Sequence, residues 1–321
     1  MAKIKKTNLQ NYPRIENEEN HFHGYFDESK VTPHKTVISD AELKDIIKRA
    51  VIIANVKSSR AILNIKESIS EEEINKIYIK QGIALFRYFL KYCGDPASSA
   101  FDCVNQHYRI IAKEQFRNRT IQKERMNSGW RYQFIAKDTA ILSKRFHSIS
   151  DLGTSEADFN AIILELDTGR HINIYTSVKN RTNTMGGQDW PKAIIAMESM
   201  AQNDKNRSGP YLCVFGIAME KGQRRIKNEA KTGKPYSYNT EIWLSEFFWR
   251  FFSNISYERI IKAVLDILIE EKTLSSLNTE VPEKLIASFG KECSKYGLVD
   301  KKGIFNDPYK LVDLFCGKIK L

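Results

Sequence analysis

Cysteine is scarce and unpatterned in this chain. The five residues, Cys93, Cys103, Cys213, Cys293 and Cys316, are odd in number, scattered, and never form a Cys-x-x-Cys pair. That spacing argues against a disulfide framework and against a structural zinc. The opening residues Met1-Ala2-Lys3-Ile4-Lys5-Lys6 lack the apolar run of a secretory signal, and no stretch has the length of a membrane span. These absences lead to the expectation of a soluble, cytoplasmic protein with no membrane partner. Internal repeats and low-complexity tracts are also missing. Acids are outnumbered, with 39 Asp and Glu against 50 Lys and Arg, for a net charge of +11. A surplus of that size favours a polyanionic partner, nucleic acid before membrane. What is present is ordinary globular material: 321 residues, 42% hydrophobic and 11% aromatic, enough to bury a full core.

Along the chain, residues 1–38 read as an irregular polar arm. His21 and His23 have the spacing of a metal clip, but no cysteine or carboxylate cluster supports one, and the segment reads as loop. Residues 39–145 form a helical region. One helix is expected over 40–57, with Asp40 at its start and Leu43, Ile46, Ile47, Ala50 and Val51 on one stripe. A second is expected over 70–93, opened by a Ser70/Glu73 capping box and burying Ile74, Ile77, Ala84, Leu85 and Phe89. A third follows Pro96 and reaches about Arg117. The segment 117–131 carries Arg117, Arg119, Lys123, Arg125 and Arg131 among amides and Trp130. It has two readings: a phosphate-tracking element, or a solvated helix face ending in a turn at Gly129. Residues 146–255 form an α/β core, and 256–321 read as two or three further helices. Within the core, 211–219 is a continuous apolar run suited to a strand buried on both faces. The basic run 220–234 reads as a loop, and 241–253 as a short strand leading into a docking helix. The whole is expected to be one compact unit of class α/β (α+β), a mixed central sheet flanked by helices.

The most informative stretch lies between Asp158 and Lys179. Two runs rich in Ile, Leu and Tyr flank Asp167-Thr168-Gly169-Arg170, a strong hairpin signal. If Leu166 pairs with His171, Asp158 falls opposite Lys179 and Asn160 opposite Ser177. Opposed side chains stand about 5 Å apart on one face, so a carboxylate, an amide, a hydroxyl and an ammonium converge. Phe159, Ala161, Ile163, Ile172, Ile174, Thr176 and Val178 then point into a core.

Such a patch suits metal-assisted phosphodiester hydrolysis. A hard cation such as Mg²⁺ takes one or two carboxylates, a backbone carbonyl, waters and substrate phosphate oxygens. Asp158 offers the carboxylate and Val178 a carbonyl, while Lys179 is placed to hold the attacking water and offset charge.

At these residues the chain resembles the PD-(D/E)XK nuclease superfamily, and more closely certain type II restriction endonucleases. An Asp opens one strand, a short hairpin follows, and a residue-x-Lys triplet, here Ser177-Val178-Lys179, lies on the next; a helix and a further buried strand come after it. The resemblance covers 145–253. It departs from the family pattern at two places. Ala157, preceded by Glu156, replaces the usual proline before Asp158, and Ser177 stands where the second carboxylate is expected. Some restriction enzymes with Ser-x-Lys recruit a Glu from the following helix, which makes Glu198 the first candidate, with Asp189, Glu114 and Glu165 behind it. The expected register points Glu165 to the opposite hairpin face.

The resemblance implies a Mg²⁺-dependent, site-specific endonuclease of a restriction–modification system, acting on double-stranded DNA as a homodimer. The catalytic set is then Asp158, Ser177, Lys179 and Glu198, with Asp158, Val178 and Glu198 toward the metal. Candidate DNA contacts are Arg117, Arg119, Arg125, Arg181, Asn183, Thr184, Gln188, Lys192, Arg224 and Arg225. A repair or structure-specific nuclease with the same core is the near alternative. A non-catalytic nucleic-acid-binding protein, working through the basic stretches 117–131 and 220–234, is the further one.

Overall fold

A computed structural model describes residues 21–59, 70–91, 95–185, 189–275 and 281–318. It divides the chain into two compact units, Met1–Ala50 with Gly129–Ile267, and Val51–Ser128 with Leu268–Leu321. This division differs from the expected borders near 38, 145 and 255. The borders fall inside long helices, where neither composition nor periodicity changes. These helices are α1 (Asp40–Ser59), α4 (Tyr108–Leu142) and α7 (Tyr257–Ser275).

The first unit is a mixed α/β structure around a six-stranded sheet, in the order β1-β2-β3-β4-β6-β5. Its strands are β1 (Ser148–Asp151), β2 (Phe159–Leu164), β3 (His171–Lys179), β4 (Tyr211–Ile217), β5 (Arg224–Arg225) and β6 (Thr240–Trp243). The first three pair antiparallel, β3, β4 and β6 run parallel, and β5 closes the far edge antiparallel to β6. Every residue of β4 is buried, as a strand covered on both faces requires. One cover is α5 (Trp190–Asn203), which lays Trp190, Ile194, Met197 and Ala201 on Tyr175, Tyr211, Cys213, Phe215 and Ile242. On the other face lies α6 (Ser245–Ser253), whose Phe248 packs so closely on β4 that a Cβ at Gly216 would overlap its ring. Strand β1 was not foreseen; Ser148-Ile149-Ser150-Asp151 is short, polar and mostly exposed at the sheet edge.

The N-terminal arm is anchored rather than loose over its described part. Phe26 is buried beside Trp243 and Phe251, with its N–H on the fully buried Glu241 carboxylate at 2.5 Å. Val31 bridges to Glu165, and Thr32 donates its N–H to the Leu164 carbonyl at 3.0 Å.

The second unit is helical: α2 (Glu71–Lys91), α3 (Pro96–Cys103), α8 (Glu283–Lys295), α9 (Pro308–Phe315) and the first part of α4. Phe86, Phe89, Ile111, Phe289, Phe305 and Leu311 make its core. The capping box forms as expected, Ser70 N–H to Glu73 Oε2 at 3.1 Å and Glu73 N–H to Ser70 Oγ at 3.3 Å. No turn occurs at Gly129, because α4 runs through it. The break comes earlier, between α3 and α4, where Asn105 adopts φ 63°. Among the described residues no helix is long and apolar enough to cross a membrane.

Candidate active site

The hairpin forms, with a register two residues from the expected one. Leu164 pairs with His171 and Phe159 with Thr176, and the strands close around a loop, 166–169, in which Gly169 N–H reaches the Glu165 carbonyl at 2.9 Å. Gly169 has φ +68°, a conformation glycine supplies without a Cβ penalty, and this places it as the last loop residue. Arg170 consequently stands opposite Glu165 just before β3 and pairs with it, Nη2 to Oε2 at 2.8 Å, while Leu166 is pushed into solvent. A slip of two preserves the faces. Phe159, Ala161, Ile163, Ile172, Ile174, Thr176 and Val178 are buried as expected.

The slip changes which polar groups meet. Asp158 is not opposite Lys179. Its N–H donates to the Thr176 carbonyl at 2.8 Å and its Oδ2 accepts the Val178 N–H at 2.6 Å, so it brackets Ser177. The carboxylate thus takes the place of a ladder carbonyl at the start of β2. Just before it, the Thr154 hydroxyl bonds both the N–H and the carbonyl of Ala157 at 3.2 Å, which holds the turn that delivers Asp158. Lys179 follows one residue beyond Val178, half-buried, with its carbonyl taking the Ala218 N–H at 2.8 Å. Neighbouring strand residues send their backbone groups to opposite sides, so the Val178 carbonyl lies on the Asp158 side of β3. Ser177 is buried between them. Asn160 is drawn away from Ser177: its register partner is Tyr175, and its amide donates to Asn173 Oδ1 at 3.3 Å.

The described contacts of Glu198 lie on β4 and β6. It is buried on α5 over β4 and β6, where the Thr240 hydroxyl donates to its Oε1 at 2.5 Å. Burial first, and then the Glu198 charge, push the Tyr211 hydroxyl up to about 12 and the Cys213 thiol well above its usual value. All three contacts lie on strands beyond β3 from Asp158. Asp189 is exposed at the start of α5, Glu165 is held by Arg170 at the hairpin's far end, and Glu114 belongs to the helical unit. Among the described residues no group of three or more His, Cys, Asp or Glu side chains could hold a metal ion. What the site offers a cation is one carboxylate and one main-chain carbonyl, a hard-oxygen set that suits Mg²⁺ only with water and substrate phosphate completing it.

The strand pairing continues past Lys179. Asn180 accepts the Met219 N–H at 3.0 Å, and Glu220 Oε2 then receives both the N–H and the hydroxyl of Thr182, at 2.9 and 2.6 Å. This rail sets the short 3-10 turn Thr182–Thr184, with Arg181 before it; Arg181, Asn183 and Thr184 are exposed. Lys192 is exposed on the first turns of α5. Gln188 and the Gly186-Gly187 pair lie outside the described residues.

Two expected DNA contacts part company at β5. Arg224 is an internal group: its guanidinium lies over Tyr25 and Phe247 at 4.8 and 4.5 Å, donates to the Phe26 carbonyl at 2.6 Å and sits 3.6 Å from Glu241. These contacts tie it to the N-terminal arm, leaving its side chain only partly exposed. Arg225, one residue on, faces the other side and is exposed. Beyond it the basic run is no open loop but a second hairpin, with Asn228 bridged to Pro235 and Tyr236 N–H on the Lys227 carbonyl at 3.0 Å. In the helical unit Arg117 is exposed and Arg119 lies over the Tyr88 ring at 5.7 Å; the side chain of Arg125 lies outside the described residues.

Sequence reasoning missed Glu220 as part of the site. The signal was its isolation, one of two acids in an otherwise basic run. Compared with protein-family models and with curated sequences, the chain matches none, and its chemistry has to be read from the site itself.

Proposed function

We propose that the α/β unit is a metal-dependent endonuclease acting on double-stranded DNA, with a PD-(D/E)XK-like core over residues 145–253. The observation that carries this reading is the Asp158 carboxylate against the main chain of Val178, with Lys179 next along the strand. A carboxylate and a main-chain carbonyl at one end of a hairpin, with a lysine next along the strand, match the residue types phosphodiester hydrolysis needs. The supporting order is helix, three antiparallel strands, helix and a parallel strand, all in one sheet.

In this reading Asp158 and the Val178 carbonyl hold Mg²⁺, which when bound lowers the pKa of water and shields the scissile phosphate. Lys179 orients the attacking water and offsets the charge that builds on the phosphate. The Ser177 position brings no second carboxylate, so water and substrate oxygens would have to complete the coordination of a bound cation. Arg181, Asn183, Thr184, Lys192 and Arg225 supply the exposed surface for DNA, and the net charge of +11 favours its approach. Within this class, a type II restriction enzyme working as a homodimer is the form proposed, since a two-fold symmetric site needs one centre per strand.

Digestion of a plasmid of known sequence with Mg²⁺, followed by mapping of fragment ends, tests the proposal. Discrete ends at one short sequence support restriction. Cleavage only at forks, nicks or mismatches supports the repair nuclease. Binding without any cleavage, unaltered by Asp158→Ala, supports a non-catalytic binding protein.

A further inference from the structure

Glu220 carries a negative charge into a surface that otherwise gathers arginine. It receives both Thr182 donors on a single oxygen, Oε2, at 2.9 and 2.6 Å. Its own carbonyl is fixed by the N–H and hydroxyl of Ser245 at 3.0 and 2.8 Å, so the residue is anchored to the first turn of α6. Burial works to raise its pKa, but the Thr182 hydrogen bonds and the charges of Arg225 and Arg181 outweigh it and hold the carboxyl below its usual range. The side chain is therefore ionised at neutral pH, and two of the proposed DNA-binding arginines act on it.

We propose that Glu220 is a specificity-determining residue of the DNA site, a fixed carboxylate that sets the 181–184 turn and opposes binding by charge alone. The inference rests on the nuclease reading above. Binding to arbitrary DNA comes from cations neutralising phosphates. A carboxylate held near Arg181 and Arg225 withdraws part of their charge and repels an approaching phosphate. A complex that adds base contacts from the turn, Asn183 among them, overcomes that penalty, and one resting on phosphates alone does not. Discrimination is a difference of affinities, so weakening the loose complex serves it as well as strengthening the right one.

Because both Thr182 donors converge on one oxygen, an amide oxygen can accept them too. Glu220→Gln thus removes the charge and keeps the turn, whereas Glu220→Ala removes both. The test is fluorescence anisotropy of a short labelled duplex of mixed sequence, with Ca²⁺ replacing Mg²⁺, over a range of salt. Cleavage of mapped sites against single-mismatch sites is then compared. Glu220→Gln is expected to bind the mixed duplex several-fold tighter and to steepen the salt dependence by about one phosphate equivalent. It is also expected to cut mismatched sites more readily, with an unchanged melting temperature. Glu220→Ala is expected to gain the same loose affinity and to cut its proper site more slowly, since the turn is released. Equal affinity, salt slope and site preference in wild type and Glu220→Gln overturn the proposal. A wild type that binds no duplex overturns the nuclease reading first, and is told apart because it fails before any variant is compared.

Discussion

The Asp158 carboxylate accepts the main-chain N–H of Val178 at 2.6 Å, joining the start of β2 to the end of β3 through a side chain. A carboxylate in that position holds the strand end together through one oxygen. It also makes the consequence of substitution separable. An asparagine oxygen accepts the same N–H, so Asp158→Asn is expected to fold and melt like wild type. Cleavage in Mg²⁺ should fall by roughly 10²–10³-fold or more, in line with the loss of one preorganised electrostatic partner. Lys179→Ala should lose activity on a similar scale while duplex binding persists. Melting curves beside single-turnover cleavage rates check both.

Glu198 offers the complementary case. Its carboxylate is buried against Thr240, on strands that do not adjoin Asp158. Glu198→Gln keeps an acceptor for the Thr240 hydroxyl and is expected to retain nearly the wild-type cleavage rate and metal requirement. A collapse of activity to the level of Asp158→Asn, with folding intact, would show that Glu198 serves the metal after all.

Gly216 lies where β4 meets α6, and a Cβ there would overlap the ring of the fully buried Phe248. That ring is enclosed by Trp249 and Phe252 and has little room to move. Gly216→Ala should cost about 1–3 kcal/mol by overpacking, lowering the melting temperature by about 2–4 °C for each kcal/mol in a chain of this size. An unshifted melting curve would contradict the packing described.

His34 sits between Arg145 and Arg250, its Nε2 3.0 Å from the Arg250 carbonyl and 3.3 Å from Arg145 Nη1. Burial first, and the Arg145 charge second, push its pKa down from 6.5 to about 4. The unfolded chain therefore binds this proton at a higher pH than the folded one. Stability from this residue is complete above pH 6.5 and is lost as the pH falls toward about 4. Melting temperatures measured across that window should drop for wild type and drop less for His34→Gln. Parallel curves would contradict the assignment.

Much of the fold was legible because strong local signals agreed with one another. The capping box at Ser70 and Glu73, the apolar run of β4 and the aromatic helix α6 were each marked by composition alone. The strand faces of the hairpin were legible too, since alternation survives a slip of two residues. The register itself was not, because it turns on whether Gly169 ends the loop or sits inside it. The surroundings of Glu198 were not legible for a related reason: its position on a helix is readable, but the strand that helix covers is set by tertiary packing. Arg224 looked like a surface cation because the partners that enclose it, Tyr25, Phe26, Glu241 and Phe247, are all distant in sequence or on the adjacent strand and helix. Unit borders inside α1, α4 and α7 leave no compositional trace.

The central claim is that Asp158, beside Val178 and Lys179, supports metal-dependent cleavage of DNA. The most direct measurement is single-turnover cleavage of a linear duplex, with and without Mg²⁺, by wild type and Asp158→Asn protein of matched melting temperature. Wild type is expected to cleave only in the presence of the metal, with cleavage abolished by chelation, and Asp158→Asn to bind the duplex without cleaving it. Intact DNA under all conditions, or equal cleavage by the two proteins, would contradict it.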